Sequence, residues 1–125
     1  MGAGALCHGV LPRCPRRVGD EEGFRYVDFA IRNLAKQFDR FGARRDELEI
    51  KVFGGADVLP VPATTSGKRT VGQQNWHTAL EILQQERLTV IASDVGGLVG
   101  RTIEFDTGNG EVLLRRLLQM DGQPW

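Results

Sequence analysis

Two helical patterns, each followed by a strand pattern, constrain the fold of this chain more than any other feature. Between Phe24 and Phe41, apolar residues recur every three or four positions, at Val27, Ile31, Leu34, Phe38 and Phe41. This spacing predicts a helix with one buried face, which Gly42 is expected to end in a left-handed conformation. Strict alternation of apolar and polar residues over Leu48–Phe53 then predicts a half-buried strand.

The second helical pattern begins after a loop rich in proline, threonine and serine at Leu59–Gly67. Thr70 and Gln73 fit a capping box, in which each side chain bonds the other residue's backbone N–H, and the apolar stripe runs to about Glu86. Leu88–Ser93 is a short apolar run with β-branched residues, which favours a buried strand. Helix-to-strand connections therefore occur twice in succession.

A hairpin and an N-terminal strand complete the predicted elements. Arg101–Asp106 and Glu111–Leu118 flank a turn in which Asn109-Gly110 favours the type I′ geometry. Ala3–Leu11 is expected to be a core strand, followed by a loop at Pro12–Gly23. The predicted fold class is α+β, with layered β-sheets flanked by two main helices in a single domain over residues 1–125.

Composition excludes several classes of function. The 16 basic and 16 acidic residues cancel, so nucleic acid is not an expected partner, and no apolar run approaches the roughly 20 residues that membrane insertion requires. Two cysteines suit a reducing, cytoplasmic setting, and they complete no zinc-ligand pattern. No metal is therefore expected. The glycines around Ser66–Thr70 and Gly96–Gly100 fit neither the phosphate-loop nor the dinucleotide spacing, so no cofactor is expected either.

His8 and two glycine pairs are the candidate site residues. A histidine in an apolar strand either finds hydrogen-bond partners in the core or lines a cleft, and the pattern alone leaves both readings open. His77 is expected to be a surface or packing residue of the second helix. Gly54-Gly55 and Gly96-Gly97 can adopt positive φ and permit close approach of another group, which suits tight turns as well as a site.

Five collinear stretches carry a resemblance to a known family. They are GALCHGVLP (4–12), YVDFAI (26–31), GARRDELEIKVFGGA (42–56), VGQQN (71–75) and DVGGLVGRTIEFDTGNGEV (94–112). In this order they resemble the CheD family of chemoreceptor glutamine deamidases. The helix joined to KVFGGA and followed by G-x-x-N and D-x-G-G-x-x-G-R is more specific than any single stretch.

The resemblance implies a cysteine hydrolase with a fold like that of the toxin deamidases. Such an enzyme converts glutamine side chains of chemotaxis receptors to glutamate, and some members also demethylate receptor glutamyl esters. His8 corresponds to the family's histidine, which would serve as general base and acid. Backbone N–H groups at Gly54, Gly55, Gly96 and Gly97 are candidates for holding the oxyanion. A CheC-like phosphatase is the further partner that the resemblance suggests.

The family's nucleophilic cysteine stands upstream of the histidine strand, and it has no counterpart in these 125 residues. Strand alternation turns Cys7 away from His8, and Cys14 lies in a loop rich in proline and arginine, where it matches no family nucleophile. Two interpretations follow. Either the sequence is a fragment that lacks the family's N-terminal strands, which we favour here, or the chain is a non-catalytic module that docks on partners.

Overall fold

The computed structural model describes residues 2–57 and 69–117. The elements in chain order are α1 (Asp20–Gly23), α2 (Val27–Phe41), a 3-10 turn (Arg45–Glu47), β1 (Ile50–Gly54), α3 (Val71–Gln85), β2 (Val90–Val95), β3 (Arg101–Phe105) and β4 (Val112–Arg116). Strands β1 and β2 form a parallel pair connected through α3, and β3 and β4 form an antiparallel hairpin. The α+β class is thus confirmed, with two small sheets and two main helices.

The core lies where α2 and α3 pack against the β1–β2 pair. Ala35, Leu83 and Leu88 are buried at its centre. Half-buried apolar residues surround them, namely Ile31, Leu48, Ile50, Val52 and Val90. Burial of these faces is the main source of stability for elements this short, because a two-stranded sheet is marginal by itself.

α3 begins and α2 ends as the sequence predicts, whereas α2 begins at Val27, three residues after the predicted start at Phe24. Thr70 caps α3, with its hydroxyl accepting from Gln73 N (3.1 Å), and Gln73 Oε1 in turn accepts from Thr70 N (3.2 Å). Gly42 ends α2 with φ +90°. Arg32 of α2 donates to Gln85 Oε1 of α3 (3.0 Å), and Arg45 of the 3-10 turn donates to the carbonyl of Glu86, just after α3 (2.6 Å).

The prediction of a strand over Ala3–Leu11 is wrong. Within the described residues, this segment forms one isolated parallel bridge, between Leu11 and Tyr26, and Leu6 and Val10 are exposed. Alternating apolar residues indicate which side chains would share one face of an extended segment. A β-strand also requires a neighbouring segment that supplies backbone hydrogen bonds. The loop predicted at Leu59–Gly67 lies outside the described residues.

The hairpin is confirmed, but its type I′ turn is not. That turn requires positive φ at both central residues, and in the described part of the chain Arg87 is the one residue other than glycine with positive φ. The side chain of Asp106 organises the turn instead, since its carboxylate accepts from Gly108 N (2.8 Å) and Asn109 N (3.3 Å). Gly110 provides the positive φ, at +79°.

Candidate functional site

A cavity of about 1290 Å³ lies between the N-terminal segment, α2, β1, the start of α3 and the hairpin. Apolar side chains form much of its wall, including Ile31, Leu34 and Phe38 of α2. These are three members of the apolar stripe predicted for α2, and they remain half-buried because they face this open space. The cavity is large enough to admit a side chain or an extended segment of another protein.

His8 is exposed and lines this cavity. The backbone just after it is held firmly: Val10 N and Leu11 N both donate to the carbonyl of Arg25 (2.9 and 3.1 Å). Val27 N donates to the carbonyl of Leu11 (2.8 Å), which ties the segment to the start of α2. The imidazole therefore stands at the cavity wall and is not packed in the core.

Gly9 explains how the segment lies so close to α2. A Cβ at this position would come within 2.7 Å of Val27 Cγ2 and 3.0 Å of the Val27 backbone, distances that a side chain cannot tolerate. Glycine beside His8 is thus required for the approach of the two segments. No sequence pattern predicts this role of Gly9.

Neither cysteine of the chain is set up as a reactive thiolate. Cys7 is half-buried at the cavity, and burial raises the pKa of its thiol, which disfavours the nucleophilic form. The Cys14 thiol donates to the carbonyl of Arg16 (2.8 Å). Both cysteines are free thiols.

The two glycine pairs form turns that are bonded to each other. Gly54, Gly55, Gly96 and Gly97 all have positive φ, between +71° and +118°, as expected for glycine. Gly96 N donates to the carbonyl of Gly54 (2.8 Å), and Asp57 N donates to the carbonyl of Gly97 (2.9 Å). Gly54 and Gly55 line the cavity, whereas Gly96 and Gly97 are not among its described lining residues.

The first turns of α3 pack against the Gly54-Gly55 turn. A Cβ on Gly55 would lie 2.6 Å from Trp76 Cδ1 and 2.7 Å from the carbonyl oxygen of Gly72, so only glycine fits. Gly72 is constrained in the same way by the carbonyl oxygen of Gly55, at 2.6 Å. The hydroxyl of Thr70 also donates to the carboxylate of Asp57. Together these contacts fix the start of the helix beside the cavity.

Asn75 joins α3 to the His8 segment. Its Nδ2 donates to the carbonyl of Val10 (3.1 Å), two residues after His8. Its Oδ1 is buried, as is Trp76 Nε1, and neither atom has a hydrogen-bond partner in the described structure. Asn75 and Trp76 both line the cavity, and the Trp76 ring stacks on His77, with ring centroids 3.8 Å apart. A packing role for His77 is consistent with this contact.

A cluster of charged residues lies behind the glycine turns. Arg101 donates through Nε to Asp94 Oδ1 (2.8 Å), and Arg116 forms a second ion pair with Asp94. Desolvation of the Asp94 carboxyl opposes its ionisation, but the hydrogen bonds and charges of Arg101 and Arg116 outweigh this effect, so the pKa of Asp94 is lowered. Asp94 is therefore ionised at neutral pH.

The structure brings three of the predicted site residues, His8, Gly54 and Gly55, to one cavity. The assignment of catalytic roles to them, and to Gly96 and Gly97, remains a prediction. The sequence patterns did not predict Asn75 as a residue of the cavity wall, nor the bonds of Arg101 to the glycine turns, because neither residue adds to an apolar period or a known motif spacing. Their presence in the stretches VGQQN and DVGGLVGR was the available signal.

Two kinds of feature are absent from the part of the chain that the structure describes. No group of three or more histidine, cysteine or acidic side chains there could hold a metal ion. Among the described helices, none has both the length and the apolar character that crossing a membrane requires.

Comparison with known proteins identifies relatives of this chain. The model of a family described as CheD chemotactic sensory transduction matches residues 10–116, a range that begins just after His8. A protein of Geobacter sulfurreducens named probable chemoreceptor glutamine deamidase CheD 2 is 42% identical over 113 residues, which cover 90% of this chain and 66% of the relative.

Two further relatives carry the name probable chemoreceptor glutamine deamidase CheD. The protein of Maridesulfovibrio salexigens is 39% identical over 122 residues, covering 91% of this chain and 70% of its own length. That of Pyrococcus abyssi is 33% identical over 115 residues, covering 92% and 69%. The chain thus spans about two thirds of the length of these three relatives. Since the family model and these relatives match most of its residues, the chain belongs to the CheD family.

Proposed function

We propose that this protein deamidates glutamine side chains of chemotaxis receptors, in their cytoplasmic regions, with His8 as general base and acid. The names of the CheD relatives support the reaction and the substrate. The observation that carries the proposal for this chain is the shared cavity, whose wall contains His8, the Gly54-Gly55 turn and the start of α3. The resemblance to the family implies that the same chemistry can extend to receptor glutamyl methyl esters.

The position of His8 suits proton transfer. An imidazole can accept a proton and return it near neutral pH, and an exposed ring on a cavity wall is accessible to a substrate. In deamidation, the base takes the proton of the attacking nucleophile and later protonates the departing ammonia. His8 can serve in both steps because the segment that carries it is anchored from Val10 onwards.

The two cysteines of this chain do not provide the nucleophile that deamidation requires. The thiolate form of Cys7 is disfavoured by burial, and the Cys14 thiol is engaged with the carbonyl of Arg16. We propose that the arrangement is that of the toxin-deamidase type of cysteine hydrolase, in which a cysteine other than these two attacks the carboxamide carbon.

A non-catalytic binding module is the second candidate. The observation that favours it is the burial of the Cys7 thiol together with the hydrogen bond of the Cys14 thiol to a backbone carbonyl. In this alternative the cavity accommodates a segment of a chemoreceptor or of a CheC-like phosphatase without chemistry. The α+β fold is the same in both cases.

Mass spectrometry of a receptor fragment tests the two proposals. The fragment is incubated with the 125-residue chain and with a form that carries the in-frame genomic sequence preceding Met1. Conversion of glutamine to glutamate by either form supports deamidation. Binding of the fragment with no conversion by either form rejects deamidation and supports the binding module.

A further inference from the structure

We propose that Arg101 is a positioning residue, which holds the two glycine turns so that the Gly55 N–H points into the cavity as an oxyanion donor. The inference rests on the proposed deamidation, because it concerns the oxygen of the substrate carboxamide. It assigns a role to one buried arginine and to one backbone N–H group.

Arg101 is buried and connects three parts of the chain. Its side chain is 8% exposed, and Nε donates to Asp94 Oδ1 at 2.8 Å. Nη1 donates to the carbonyl of Gly54 (3.2 Å), and Nη2 donates to the carbonyl of Gly96 (2.8 Å). A planar guanidinium has donors in fixed directions and can bond the carboxylate and both carbonyls at once, whereas a lysine ammonium is a single group on a flexible stem and does not fix their relative positions.

The carbonyl of Gly54 sets the direction of the next N–H group. It accepts from Arg101 and from Gly96 N (2.8 Å), so its oxygen points towards β2 and the arginine. In a planar trans peptide the N–H of the following residue points in the opposite direction. Gly54 and Gly55 line the cavity, and within the described structure Arg101 and Gly96 do not. The Gly55 N–H is therefore directed to the cavity side.

The turn has little freedom to move. Gly55 has φ +71° and lies against Trp76 Cδ1 and the carbonyl of Gly72, so α3 holds it from one side while Arg101 holds its peptide from the other. The N-terminus of α3 lies beside the same turn and adds partial positive charge there. A rigid donor in a positive field is the arrangement that stabilises a developing negative charge best.

The chemistry requires such a donor. When a nucleophile adds to the carboxamide carbon, a bond to that carbon forms and the electron pair of the C=O π bond moves to the oxygen. The Gly55 N–H would donate to this oxygen. When the C=O bond forms again, the C–N bond breaks, and nitrogen takes a proton from the His8 imidazolium and leaves as ammonia.

The variants Arg101→Met and Arg101→Lys test the proposal, with Arg116→Met as the matched control. Arg116 pairs with the same Asp94, is 61% exposed, and in the described structure donates to neither glycine turn. Deamidation of a receptor fragment should show kcat lowered on the order of 100-fold in Arg101→Met, as for loss of an oxyanion donor, with KM little changed. Arg101→Lys should be intermediate, and Arg116→Met should resemble the parent protein.

Equal losses of kcat in folded Arg101→Met and Arg116→Met would overturn the proposal, as would an effect confined to KM. If Arg101→Met does not fold by circular dichroism, Arg101→Lys carries the comparison. Amide NMR spectra separate this inference from the proposed function, because they require no turnover. We expect the Gly55 resonance to shift in both Arg101 variants and not in Arg116→Met. An unmoved Gly55 resonance rejects the positioning role even if the protein is an active deamidase.

Discussion

At the scale of single residues, glycine determines how the cavity wall is built. Gly9, Gly55 and Gly72 each occupy a place where a Cβ would come within 3 Å of a neighbour. The sequence predicted positive φ and close approach at the glycine pairs, and the structure confirms both at Gly55. It could not predict which group approaches, because that contact joins parts of the chain that are far apart in sequence.

Gly55→Ala should lower stability more than Gly97→Ala. Both residues have positive φ, which costs an alanine about 1–2 kcal/mol. A Cβ on Gly55 would also lie within 3 Å of atoms of Trp76 and Gly72, whereas a Cβ on Gly97 would point into open space. Urea unfolding measures the two free energies of unfolding. Equal losses in the two variants would show that the contact with α3 does not constrain the turn.

At the scale of elements, apolar periodicity predicted both main helices and the order of the strands. It succeeded for α2, α3, β1 and β2 because each of them contributes apolar residues to the core, whereas the hairpin was predicted from its turn residues. It failed at Ala3–Leu11, where backbone pairing is limited to the Leu11–Tyr26 bridge within the described residues. A side-chain pattern contains no information about whether a neighbouring strand is present to pair with.

Thr70→Ala should destabilise the protein by about 1 kcal/mol, the usual cost of losing a helix cap. The variant removes the acceptor for Gln73 N and the donor to Asp57, a bond that connects the start of α3 to the residue just after the Gly54-Gly55-Ala56 turn. Thr70→Ser keeps the hydroxyl and is the matched control. Thermal unfolding followed by circular dichroism compares them, and a Thr70→Ala protein as stable as Thr70→Ser would contradict the role of the cap.

At the scale of the whole molecule, one carboxylate joins the parallel pair to the hairpin. Asp94 of β2 binds Arg101 of β3 and Arg116 of β4, and Arg101 reaches the end of β1. The two small sheets are thus connected through charge as well as through the cavity wall. This connection was not predictable from the sequence, because ion pairs between distant segments produce no periodic pattern of residues.

Asp94 should make the protein sensitive to acid. Because its pKa is lowered from 3.8 in the folded state, the unfolded chain binds the proton more readily. The stability that this carboxylate contributes is therefore complete above pH ~4 and lost as the pH falls through the folded value. In urea titrations at successive pH values, Asp94→Asn should show a weaker loss of stability below pH ~4 than the parent protein. Identical slopes in the two proteins would contradict this linkage.

The central claim is that the exposed imidazole at the cavity wall performs the proton transfers of deamidation. The chain has two histidines, so His77→Ala is a natural control for His8→Ala. A receptor fragment is incubated with each variant, made in whichever form of the protein is active. Mass spectrometry then measures the conversion of glutamine to glutamate by each variant. We expect His8→Ala to abolish conversion and His77→Ala to retain it. Conversion by His8→Ala at the parent rate would contradict the account.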